Sequence, residues 1–96
     1  MRLTAGEIDT IVRIAQEVYG WGVEVFLFGS RTDDSKRGGD IDLLVRNAGE
    51  KKGVLERVRM VAKLKLALGD RKIDVVGDYE DNAVVREAML HGIRLI

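Results

Sequence analysis

Apolar and polar positions along the chain change period several times, and each change marks an element. Thr4-Ala5-Gly6-Glu7 has the form of a capping box, in which the Thr hydroxyl and the Glu carboxylate each satisfy a backbone N–H of the other. Behind it Ile8, Ile11, Val12, Ala15, Val18 and Tyr19 recur at helical spacing, and Gly20 and Gly22 end the helix. Val23 to Phe28 is short and rich in β-branched and aromatic residues, so it reads as a strand buried on both faces. Ser30 to Gly39 is polar, and Ser30 is placed to cap a short helix at its start. Asp40 to Val45 is the second strand. Lys51 to Leu68 is the longest helix, with an expected apolar stripe of Val54, Leu55, Val58, Val61, Ala62 and Leu68, and Gly69 stops it. Lys72 to Val76 is a third strand, Asn82 to Leu90 a last helix closed by Gly92, and the tail GIRLI a short edge strand.

This alternation of helices and strands predicts an α+β fold, an α/β sandwich in which helices pack against a small mixed β-sheet. Ninety-six residues suit one domain spanning 1–96. Lys plus Arg and Asp plus Glu both number 16, so no excess of positive charge favours nonspecific binding to nucleic acid or to an anionic membrane. With no cysteine there is neither a disulfide framework nor a thiolate metal site. The N-terminus lacks the apolar run of a signal peptide and no segment reaches transmembrane length, which predicts a soluble, cytoplasmic chain.

The second strand breaks its own pattern. Side chains alternate faces along a strand, so Asp40 and Asp42 share one face while Ile41, Leu43 and Val45 take the other, toward the core. The strand KIDVV repeats the anomaly with Asp74 between Ile73 and Val75. If the two strands are neighbours, three carboxylates converge. Such like charges repel, and each costs free energy to desolvate. Divalent cations resolve the conflict, because hard ions such as Mg²⁺ take oxygen ligands. Two metals ~4 Å apart serve phosphoryl and nucleotidyl transfer. A D-x-D alone is weak, since acidic pairs at strand ends are commonly just solvated.

Gly29-Ser30 adds a second feature. Glycine permits close backbone approach and a capping serine offers a hydroxyl beside free N–H groups, which makes a phosphate cradle. In isolation the same dipeptide is equally an ordinary strand-to-helix turn. His91, the single histidine, sits where it would cap a helix C-terminus. For Trp21, between two glycines, ordinary packing is preferred over stacking on a base or marking a partner surface. Tyr79 follows a strand and is placed near the site, with no further assignment.

The arrangement FLFGS, spacer RTDDSKRGG, DIDLLV and then KIDVV resembles the minimal nucleotidyltransferases of the DNA polymerase beta superfamily, over about Val23 to Val76. The resemblance implies that Gly29 and Ser30 bind nucleotide phosphates and that Asp40 and Asp42 bind two Mg²⁺ ions. It further implies that Asp74 completes the metal site and serves or orients the base for the attacking hydroxyl. Arg31 is a phosphate contact or a solvated surface arginine. The spacer is one residue shorter than in many minimal members, and Gly39 stands where they have Ser, which affects loop contacts rather than metal ligands. The large relatives carry acceptor-gripping domains, and the resemblance to the minimal members implies an acceptor or helper that arrives as a separate chain. As a class the minimal members resemble antitoxins of helical HEPN-type toxins, which implies ATP as substrate and AMP transfer to a tyrosine of the toxin. Such a chain forms a homo- or hetero-oligomer, with nucleic acid disfavoured as the direct acceptor. The alternative is a non-catalytic or substrate-activating subunit that binds a separate helical protein, with a small-molecule or RNA acceptor.

Overall fold

In a computed structural model, residues 3–28, 41–46, 53–69, 71–77 and 92–96 are described. The first helix, α1 (Ala5–Tyr19), begins where the capping box places it. The Glu7 N–H donates to Thr4 Oγ1 at 3.1 Å, and the Thr4 N–H donates to Glu7 Oε1 at 2.8 Å. At its other end Gly20 adopts φ 100°, a conformation costly for any residue with a Cβ, and its N–H donates to Gln16 O. Ile11, Ile14, Ala15, Val18 and Tyr19 form the buried stripe.

Strands β1 (Glu24–Phe28), β2 (Ile41–Arg46), β3 (Ile73–Gly77) and β4 (Ile93–Arg94) form a sheet in the order β3-β2-β1-β4. β1 runs antiparallel to both β2 and β4, whereas β2 and β3 are parallel. The sheet is therefore mixed, as expected, and GIRLI supplies its edge. A parallel pair needs a crossover connection, and α2 (Val54–Leu68) lies in that connection.

Ile41, Leu43 and Val45 of β2 share a core with Val25, Leu27, Ile73 and Val75, beneath the stripe of α1. Full burial of aliphatic side chains of this size stabilises by about 1.5–3 kcal/mol each. A smaller cluster of Phe28 and Leu44, with Phe26 and Val76 packed against it, occupies the other face. β1 is thus less uniformly buried than expected. Val25, Leu27 and Phe28 are buried, but Glu24 and Phe26 are half-buried, because Glu24 meets arginines rather than apolar neighbours.

The face of α2 differs more sharply from expectation. Met60 and Leu64 are its buried residues, with Val61 and Leu68 packed beside them. Val54, Leu55, Val58 and Ala62, expected to face inward, are exposed. The helix contacts α1 and the edge strand β3, so only a narrow strip of its surface is covered. Trp21 also departs from the packing assigned to it: it is 85% exposed in the turn between α1 and β1. No helix among the described residues is long and apolar enough to cross a membrane.

Candidate active site

The parallel pairing of β2 with β3 is in register, so that Asp42 stands opposite Asp74. Register partners on neighbouring strands project to the same face, and adjacent strands are ~4.8 Å apart. Ile41 and Leu43 on one strand, and Ile73 and Val75 on the other, all belong to the core under the helices. Alternation therefore turns both aspartates to the opposite face. Their neighbourhood follows from the pattern DID on β2 and KIDVV on β3: each Asp is bracketed by two aliphatic residues that the core holds down. Asp42 is half-buried and Asp74 is exposed.

The rim is shared with β1. Its last residue, Phe28, is the register partner of Asp42. The chain thus leaves β1 at the edge where β2 and β3 begin. Gly29, Ser30, Arg31 and Asp40 lie outside the described residues, as do Tyr79, His91, the short helix expected after Ser30 and the helix expected over 82–90. Among the described residues no group of three or more acidic or histidine side chains is assembled to hold a metal. The sequence-expected set is represented there by the adjacent pair Asp42 and Asp74.

A cleft of about 800 Å³ opens beside this pair, and its described lining includes Phe28, Asp42, Asp74, Arg57, Val61 and Lys65. The wall supplied by α2 was not singled out from the sequence. Its signal is the spacing of Arg57, Val61 and Lys65, four residues apart on one side of a helix. Two cationic residues and two carboxylates therefore border one cavity. Oxygen-only donors at the sheet edge suit a hard divalent cation, and the cationic residues on the helix suit phosphate oxygens.

At the other end of the strands the charges are matched. Glu24 accepts from Arg46 Nε at 2.8 Å and from Arg46 Nη2 at 3.2 Å, and Arg94 Nη2 lies 3.0 Å from the same carboxylate. Arg46 also lies over the Phe26 ring, 5.2 Å from its centroid. The hydrogen bond from Arg46 holds the Glu24 carboxyl below its ordinary range. Glu7 is likewise lowered, first by the Thr4 backbone N–H and then by Arg71, whose Nη1 lies 2.7 Å from Glu7 Oε2.

Several solved structures resemble this fold. A toxin–antitoxin crystal structure with AMP-PNP superposes with a TM-score of 0.75 at 24% identity, over 93% of this chain and 72% of that one. A mutant of the toxin–antitoxin MntA-HpeT gives 0.74 at 22% identity, over 93% and 71%. The toxin–antitoxin MntA-HepT gives 0.72 at 21% identity, over 97% and 72%. At these identities the likeness is one of fold. No curated protein matches the sequence. The family profile described as nucleotidyltransferase domain matches residues 8–94, nearly the whole chain and both aspartate-bearing strands. This chain belongs to the nucleotidyltransferase domain family.

Proposed function

We propose that this chain is a single-domain, Mg²⁺-dependent protein adenylyltransferase acting in the cytoplasm as the antitoxin of a helical HEPN-type toxin. It would transfer AMP from ATP to a tyrosine hydroxyl of that partner. The observation that carries the reading is the in-register pair Asp42 and Asp74 beside a cleft bordered by Arg57 and Lys65, in a chain of this family. The fold shared with toxin–antitoxin structures, one of them with AMP-PNP, supports the choice of partner and nucleotide.

Asp40, Asp42 and Asp74 are the residues that would hold divalent ions. When bound, such ions neutralise phosphate charge and act as Lewis acids toward the reacting oxygens. The remaining work falls to the chain. Gly29 and Ser30, with Arg31 as a further contact, would hold the triphosphate, and Asp74 would orient or accept the proton of the attacking hydroxyl. In the transfer the tyrosine oxygen bonds to the α-phosphorus, the bond to the β-phosphate bridging oxygen breaks, and pyrophosphate leaves.

The test is incubation of the chain with its HEPN-type partner, ATP and Mg²⁺, followed by intact-mass measurement. The expected result is a partner heavier by one AMP. With Asp42→Asn/Asp74→Asn the rate should fall on the order of 10³-fold or more, the scale on which loss of a central catalytic group acts. A partner of unchanged mass, with ATP bound by the chain, removes the enzymatic reading.

A second reading, neutralisation by contact alone, is favoured by the exposed apolar residues of α2. Under that reading the double variant neutralises the toxin as fully as the wild type.

A further inference from the structure

The outer face of α2 combines two features that neither the core nor the cleft explains. Leu55, Val58, Ala62 and Leu66 follow one another at spacings of three, four and four residues, so they form one continuous stripe along the helix. All four are exposed, Leu66 at 89% and Leu55 at 67%. Cationic side chains flank the stripe on both sides. By helical geometry Arg59 and Lys63 lie along one margin and Lys65 along the other. Lys63 reaches Glu17 only at 3.8 Å with both side chains largely solvated, a weak restraint on it. The stripe runs into the cleft, because Val58 and Ala62 line both, and the same cleft is bordered by Asp42 and Asp74.

We infer that this face of α2 docks an amphipathic helix of the partner protein, one whose apolar ridge is flanked by carboxylates, and that docking there brings the partner's acceptor side chain to Asp42 and Asp74. The inference rests on the proposed transfer to a protein acceptor and specifies where that protein sits. Charge selects the occupant. A second copy of this chain would set its own Arg59, Lys63 and Lys65 against their equivalents, since cations lie on both margins whichever way the two helices run. Acidic flanks on a different protein pair with them instead. A lipid surface or an RNA could use the cations, but a bilayer projects no single side chain into a concave cleft, and an RNA offers no apolar ridge to cover the stripe. A protein helix covers the apolar stripe, pairs the cations and leaves the cleft for one projecting side chain.

Leu55 and Leu66 are outside the cleft lining and project to solvent, so polar replacements there leave the core intact. The experiment compares wild type, Leu55→Glu/Leu66→Glu and Arg59→Glu for binding to the proposed HEPN-type partner, with Mg²⁺–ATP binding measured on each. The expected result is a dissociation constant weakened about tenfold or more for the double variant and several-fold for Arg59→Glu, with nucleotide binding unchanged. Binding of that protein within twofold of wild type by the double variant overturns the inference, as does absence of any complex with the wild-type chain. So does self-association of the wild type that the double variant abolishes, or capture by this face of phosphatidylserine vesicles or RNA with no complex formed with the protein. Failure of the transfer reading looks different. A partner bound through the stripe but never adenylylated overturns the chemistry and leaves the docking surface, whereas efficient adenylylation by the double variant does the reverse.

Discussion

The two ends of the β-sheet use carboxylates in opposite ways. At one end Glu24 is held between Arg46 and Arg94 and draws three strands together, each guanidinium coming from a strand that flanks β1. At the other end Asp42 and Asp74 are register partners that face the same side from adjacent strands. The first arrangement closes a clamp across three strands. The second sets like charges opposite each other, which costs roughly 0.2–1 kcal/mol in a sheet, and it borders an open cleft. An acidic residue on a strand therefore has no fixed meaning. The charges across the ladder decide whether it is a clamp or a site.

Three interventions break or sharpen that contrast, in falling order of effect. The largest acts on the end at the cleft: Asp42→Asn/Asp74→Asn should abolish transfer to the partner while the fold persists, read by intact mass and by circular dichroism. Next is the matched end. Glu24→Ala leaves Arg46 and Arg94 near each other with no shared anion, so the unfolding temperature should fall in calorimetry while Mg²⁺–ATP affinity is kept. If Glu24→Ala instead impaired nucleotide binding and left stability alone, the division of labour between the two ends would be wrong.

The smallest effect is on acid stability. Glu24 and Glu7 both have lowered carboxyl pKa values in the folded chain, relative to an ordinary 4.5. A group with a depressed folded-state pKa binds fewer protons folded than unfolded. Its contribution is fully present above the unfolded value and is lost as pH falls through the folded one. Stability should therefore hold as pH drops toward 4.5 and decline below it. Glu24→Gln should flatten that acid limb, as measured by urea unfolding at a series of pH values.

What could be read from sequence follows the same local-versus-distant divide. The start of α1 was legible because a capping box is complete within four residues. The facing of Asp42 was legible because alternation is set by immediate neighbours, and KIDVV repeated the signal. That Asp74 stands opposite Asp42 depended on β2 and β3 being neighbours in one particular register, which the sequence poses as a condition. The Glu24 clamp was not visible at all, since Arg46 is distant in sequence and meets Glu24 only through the ladder. The face of α2 was misread because this helix has apolar residues around most of its circumference. Periodicity offered several stripes, and its place against α1 and the edge strand chose Met60 and Leu64. The outer set, Leu55 and Leu66 included, then remained exposed. Trp21 was misread for a related reason, since large apolar residues are more often packed than displayed.

The most direct measurement is thermal unfolding of the wild type and Asp42→Asn/Asp74→Asn, each in EDTA and in saturating Mg²⁺. The wild type should gain stability with Mg²⁺, by about 2.7 kcal/mol at a hundredfold excess over the dissociation constant. The double variant should be indifferent to Mg²⁺. An equal Mg²⁺ response in both proteins would contradict the assignment of Asp42 and Asp74 as metal ligands.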